Sequence, residues 1–208
     1  MHRKQRRGLW QFSLFITNVV DQNCFKRRAT GAGPGCMTHE IDIRGFAPPD
    51  AAPVRELFIR VNRLLASAHL VEAFESYIAR SLVEEIDRLA DYYSSRNGGF
   101  WVALDGDEIV GMFGLEAAGE HAMELRRMYV APDARRRGIA RKMLAFAENE
   151  CRRRNRWRLE LSTSELQKDA LALYRSAGYE SVREEIADAA SNKTVGGGIR
   201  RYHFSKRL

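Results

Sequence analysis

From Val130 to Ala140 the chain reads Val-Ala-Pro-Asp-Ala-Arg-Arg-Arg-Gly-Ile-Ala, an apolar end, a turn, three arginines and a glycine. A helical pattern follows directly. The first turn of a helix leaves backbone N–H groups unpaired at the positive end of its dipole, so this is a place where an anion can rest. Gly138 and Ala140 keep bulk away from that backbone, while Arg135, Arg136 and Arg137 add bidentate donors suited to phosphate oxygens. The same run also reads as a solvated basic loop ahead of a helix. Taken alone, it does not decide between the two.

Two segments taken together resemble one family. Arg135 to Ala140 resembles the acetyl-CoA pyrophosphate loop of the GNAT superfamily of N-acetyltransferases, Gln/Arg-x-x-Gly-x-Gly/Ala, with Arg135, Gly138 and Ala140 in the fixed places. Arg136 stands where many members have glycine. Gln167-Lys168-Asp169-Ala170-Leu171-Ala172-Leu173-Tyr174-Arg175-Ser176-Ala177-Gly178-Tyr179 resembles the family's Asn-x-x-Ala-x-x-Leu-Tyr-x-x-x-Gly-Phe/Tyr segment, one amide replacing another at Gln167. Order, spacing and the helix and strand between the two segments agree as well. The likeness covers residues 40–208 and carries no signature of an acceptor.

The resemblance implies attack of an amine on the thioester of acetyl-CoA, the co-substrate, in a ternary complex, with no metal. That reaction asks for anchored phosphates, a polarised carbonyl, a deprotonated amine and a proton for the leaving thiolate. Anchoring falls to Arg135, Arg136, Arg137, Gly138, Ile139 and Ala140. The backbone of Met128, Tyr129 and Val130 pairs with the pantetheine arm, the Val130 N–H serving the thioester carbonyl, and Gln167 reaches the pantetheine or the neighbouring strand. Tyr174 matches the position that protonates the thiolate. A phenol of pKa about 10 serves a thiolate of pKa about 8.5 only when the site holds the two close; the competing reading is a packed helix residue. Glu124 falls where some members carry a catalytic glutamate, and period-two alternation puts residues 124, 126, 128 and 130 on one strand face. Glu116 is the rival base. His121 and His203 have suitable chemistry and no supporting position. A CoA-binding regulatory module without catalysis is the alternative from another class.

These residues need elements to position them. Ile41, Ile43 and Phe46 alternate as a strand, and Asp50 stands as the N-cap of a helix carrying Val54, Leu57, Phe58, Val61, Leu64 and Leu65. A second apolar stripe runs from Leu70 to Tyr93. Strands follow at 100–104 and 109–115, joined at Asp105-Gly106, and at 122–130. Gly111 and Gly114 mark a bulge or a close approach. A helix with Ala140, Met143, Leu144, Ala147 and Cys151 on one face, a strand at 157–161, a helix at 169–176 and strands at 179–184 and 199–204 complete the chain. The expected fold is a single α/β (α+β) domain over residues 39–208, with a mixed sheet of about seven strands flanked by helices and, by the resemblance, splayed at the acetyl-CoA site.

Length and charge narrow the class further. The chain has 208 residues and a net charge of +7. Residues 1–36 hold seven basic residues against one acidic, so residues 37–208 carry only +1. Residues 37–125 have net charge −9 and residues 126–158 net charge +9, an acidic half for a cationic amine and a basic half for a phosphate-bearing co-substrate. Arg152, Arg153, Arg154 and Arg156 read instead as exposed cations near a helix C-terminus. The near-neutral domain, without a zinc-finger, helix-turn-helix or basic-zipper pattern, argues against nucleic acid. Residues 1–38 read as a basic, disordered extension; a secretory signal, an organelle presequence and a true start at Met37 compete there. Three cysteines, Cys24, Cys36 and Cys151, argue for a reducing, cytoplasmic setting. No run of about 18 apolar residues predicts a membrane span. The partners expected are a small-molecule or protein amine and, left open, a second copy in a homodimer.

Overall fold

The computed structural model describes residues 40–208. The readings of residues 1–38 and of Cys24 and Cys36 lie outside the described residues. Seven strands form one sheet: β1 (Asp42–Gly45), β2 (Gly99–Asp105), β3 (Glu108–Ala117), β4 (Ala122–Val130), β5 (Arg158–Ser164), β6 (Glu180–Ala187) and β7 (Ile199–Arg207). Their order is β1-β2-β3-β4-β5-β7-β6, antiparallel throughout except for the parallel β4–β5 pair. Parallel neighbours need a crossover, and α4 (Ile139–Arg153) supplies it. The remaining helices are α1 (Ala51–Leu65), α2 (Val71–Glu84), α3 (Leu89–Ser94) and α5 (Lys168–Ser176).

The core lies on both faces of the sheet. Two glycines show how tightly it is filled. A β-carbon at Gly114 would lie 2.3 Å from the Tyr93 ring of α3, and one at Gly111 would lie 2.7 Å from Met143 Sδ of α4. Close approach, the second of the two readings of these glycines, is therefore what both serve. Since residues 111 and 114 are an odd number apart on β3, α3 and α4 cover opposite faces. On the α4 side, Tyr179 donates its hydroxyl to Glu148 at 3.1 Å and stacks obliquely on Tyr174 of α5.

Three expectations are corrected. The apolar stripe of residues 70–93 is two helices, α2 and α3, because the backbone leaves the helical region at Glu85 (φ −141°, ψ −58°), whose carboxylate turns fully inward. Asp50 stands at the N-cap position of α1 but does not bond to it. Its carboxylate turns back to the Ala47 N–H at 2.8 Å and to Arg44 at 2.7 and 2.8 Å. The alternation along β4 also fails. Met112 pairs with Tyr129 but Gly114 pairs with Arg126, so two residues of β4, Arg127 and Met128, oppose Phe113 alone. Arg127 sits at φ +53°, the left-handed conformation of a β-bulge. Glu124 opposite Glu116, and Val130 opposite Gly111, consequently project to different faces.

Candidate active site

β4 and β5 pair only over Ala122–Leu125 and Arg158–Leu161. Beyond that point the strands part, and two cavities open in the gap. The larger, about 710 Å³, runs along Met128, Tyr129 and Val130, under the loop of Arg135, Arg136 and Gly138, past Ile139, Ala140 and Arg141 of α4, to Gln167, Lys168 and Tyr174. The smaller, about 110 Å³, lies among Phe74, Tyr77, Glu124, Arg126, Arg127, Ser162, Lys193 and Arg201. Leu65, Met128, Tyr129, Leu166, Gln167 and Tyr174 wall both. The splay thus joins a long cleft to a compact polar chamber.

The loop ahead of α4 turns through two left-handed residues. Gly138, the N-cap of α4, adopts φ +78°, and no side chain caps the helix, which leaves its first N–H groups facing the cleft. A β-carbon at Gly138 would meet nothing within 4 Å, so the glycine is required by its dihedral rather than by crowding. Arg136 adopts φ +65°, which explains in physical terms why glycine suits that position in similar loops. Arg135 and Arg136 border the cleft. Arg137 points elsewhere, paired with Asp105 at 2.8 Å, and that bond holds its guanidinium pKa above the usual value.

Val130 is oriented by strand geometry. Ala131 N–H bonds to Val110 O at 2.8 Å, so residues 110 and 131 form a hydrogen-bonded pair and the next pair, Gly111 and Val130, does not. The Val130 N–H therefore points away from β3, toward the side where β5 has departed. Gln167 opens α5, and its side-chain oxygen accepts a 3.0 Å bond from the Thr163 hydroxyl of β5. Tyr174 is buried, 5% exposed, between Tyr179 and Phe204, and burial pushes its phenol well above the ordinary value. Its hydroxyl makes no hydrogen bond among the described residues, and Tyr174 borders both cavities.

Glu124 faces the smaller chamber, where Lys193 Nζ donates to it at 2.6 Å. Its rival Glu116 is committed: Arg126 at 3.0 Å, Lys193 at 3.2 Å and Arg96 at 3.7 Å surround it, and it borders neither cavity. His121 stacks on Trp157, and His203 pairs with Glu185 at 2.8 Å, both away from the gap.

One cluster escaped the sequence reading. Glu85, fully buried, accepts from Tyr93 Oη at 2.6 Å, from Arg126 at 2.7 Å and from Arg127 at 2.7 and 3.1 Å. Arg127 also donates to Tyr77 Oη, to Ser81 Oγ at 3.3 Å and to Asn192 O at 2.7 Å. Arg126 and Arg127 belong to the basic stretch of residues 126–158, but they lie on the face opposite α4 and are neutralised there by Glu85. The one signal in the sequence is a pair of arginines inside a strand that is apolar apart from Glu124. Asn192, Lys193, Thr194 and Val195, from the β6–β7 loop, roof the smaller chamber, and Phe74 and Tyr77 of α2 wall it.

Residues 96–181 match the acetyltransferase (GNAT) domain family. The chain is 29% identical over 126 residues to the uncharacterized N-acetyltransferase YjgM of Escherichia coli K12, spanning 59% of this chain and 74% of that protein. It is 29% identical over 123 residues to N-acetyltransferase 8 of Rattus norvegicus, spanning 56% and 55%. Its fold resembles that of the PaiA N-acetyltransferase of Thermoplasma acidophilum, solved in complex with coenzyme A, with a TM-score of 0.64 over 81% of this chain and 99% of that one, at 19% identity. Over residues 96–181 the chain is thus similar to the GNAT acetyltransferase family. The seven-stranded open sheet flanked by helices is the expected fold, and the solved structure shares it. The chain spans about half the length of most curated relatives it matches, 55% for the rat N-acetyltransferase 8. Among the described residues no helix is long and apolar enough to cross a membrane, and no cluster of His, Cys, Asp or Glu is arranged to hold a metal.

Proposed function

We propose that the protein transfers the acetyl group of acetyl-CoA to a primary amine by direct attack within a ternary complex. The observation that carries this reading is the shared wall of Met128, Tyr129, Gln167 and Tyr174, where a cleft headed by an uncapped helix N-terminus meets a chamber holding a carboxylate. Two reactants entering from the two sides would meet at that wall.

The co-substrate fits the larger cleft on three counts. The N–H groups at the start of α4 have no side-chain acceptor, Gly138 and Arg136 bend the loop around that end, and Arg135, Arg136 and Arg141 border it. When bound, acetyl-CoA supplies an acyl group activated as a thioester. The loop and α4 hold its phosphates, and the backbone of Met128, Tyr129 and Val130 aligns its arm along the open edge of β4. The Val130 N–H is aimed where a carbonyl oxygen gains charge, a fixed dipole that needs no reorganisation during attack. Tyr174 keeps its proton at neutral pH and offers it to the departing sulfur. Glu124 takes the proton released by the amine, once Lys193 yields the carboxylate.

Thiol release with acetyl-CoA across a panel of amines and peptides tests the reading. Turnover with any amine supports it. Tight acetyl-CoA binding without turnover of any amine would favour a CoA-binding module, and absence of thermal stabilisation by CoA would remove the reading altogether.

A further inference from the structure

The cations of the smaller chamber are not equivalent. Arg126 is matched by Glu85 and Glu116, Arg127 by Glu85, and Lys193 by Glu124 and Glu116, all at 3.2 Å or closer. Arg201, on β7, is different. Its side chain is 11% exposed, and its nearest carboxylate, Glu185, lies 3.5 Å away. That carboxylate is itself held more closely by His203 at 2.8 Å and Arg183 at 3.2 Å. The other partner of Arg201 is the neutral Ser162 hydroxyl. A guanidinium carries five donors in a planar fork, and this one has spent them on one hydroxyl and a loose, shared carboxylate. Burial lowers its pKa, and the opposing pull of Glu185 does not make up the loss. A buried cation left short of charge, bordering a chamber, is a seat for an anion.

The chamber also shows where an ammonium rests, because Lys193 Nζ already occupies that position between Glu124 and Glu116. Arg201 lies within electrostatic reach of Glu124. We propose that the acceptor is an amine that also carries a carboxylate, with Arg201 binding the carboxylate through its fork while Glu124 receives the ammonium in place of Lys193. This deepens, and rests on, the acetyl-transfer reading. Arg201 is then a specificity residue: it touches the acceptor away from the atoms that react.

Matched acceptors test it: amino acids and their carboxamides, assayed with acetyl-CoA on the full chain, on Arg201→Met and on Arg201→Lys. The expected result is a preference of the wild type for the carboxylate of at least about tenfold in kcat/KM. Arg201→Met should erase that preference through KM of the carboxylate acceptor alone, leaving the carboxamide kinetics and the acetyl-CoA KM unchanged, and Arg201→Lys should restore part of it. Equal use of both acceptors by the wild type, or an equal loss for both in Arg201→Met, would overturn the proposal. Thermal shifts with the same pairs in the presence of CoA give a second readout. Stabilisation of the wild type, but not of Arg201→Met, by the carboxylate member supports the anion seat even if no amine turns over, an outcome that would sink acetyl transfer alone. No shift with any carboxylate would sink the seat.

Discussion

At the scale of single residues, Tyr174 and Glu85 make opposite predictions. The Tyr174 hydroxyl has no bond among the described residues to lose, so Tyr174→Phe should leave the melting temperature nearly unchanged while kcat falls by about 100-fold, the scale of one general acid. Steady-state kinetics beside a thermal melt separates the two effects, and a large loss of stability with unchanged kcat would return Tyr174 to a packing role. Glu85 is the reverse case. Burial pushes its carboxyl pKa up, but Arg127 and Arg126 outweigh that and hold it below the usual value. A folded-state pKa below the unfolded one, about 4.3, gives stability that is full above the unfolded value and is lost as pH falls through the folded one. Urea unfolding between pH 6 and pH 3 should therefore show the wild type losing stability on acidification more steeply than Glu85→Gln. At pH 7 that variant should be weaker by about 3–5 kcal/mol, because buried Arg127 loses its carboxylate partner and buried Arg126 keeps only Glu116. The contrast also explains what the sequence disclosed. Tyr174 sits in a local segment with fixed spacing, whereas Glu85 meets Arg127 across 42 positions, a contact no local pattern announces.

At the scale of elements, strand and helix order was legible because apolar periodicity is a local consequence of which face is buried. The β4 bulge was not, because one residue of backbone at φ +53° resets the alternation without changing the residue types around it. That bulge lets Arg126 and Arg127 reach the same Glu85, and it sends Val130 to the face opposite Glu124. The loop ahead of α4 was legible for the opposite reason: its glycine is demanded by a local dihedral. Gly138→Ala forces a β-carbon into φ +78°, at about 1–2 kcal/mol, and should weaken CoA binding roughly 5- to 30-fold if the loop gives way to relieve it. Calorimetric titration with CoA measures this, and unchanged affinity would detach the loop from phosphate binding. Gly114→Ala probes packing instead. With a β-carbon 2.3 Å from the Tyr93 ring, α3 must shift, and the cost should be about 1–3 kcal/mol of stability. The same shift would disturb Tyr93's bond to Glu85.

At the scale of the whole molecule, the net charge of +7 invites a reading that the placement of the arginines withdraws. Much of the basic stretch of residues 126–158 is spent internally. Arg126 and Arg127 face Glu85, Arg137 faces Asp105, Arg153 and Arg154 face Glu150, and Arg158 faces Glu160. The arginines that border the large cleft are only Arg135, Arg136 and Arg141, a local patch rather than a track along a polymer. Seven of the remaining basic residues lie in residues 1–36, against one acid. A polyanion should therefore bind the first 36 residues and not the cleft. On a heparin column the full chain should be retained at moderate salt, and a chain starting at Met37, with net charge +1, should elute near the void. CoA should still raise the melting temperature of both, by equal amounts, because a ligand stabilises only through the site it occupies. Retention of the shorter chain, abolished by CoA, would show instead that the cleft itself grips polyanions, and would count against a site selective for one phosphate-bearing co-substrate.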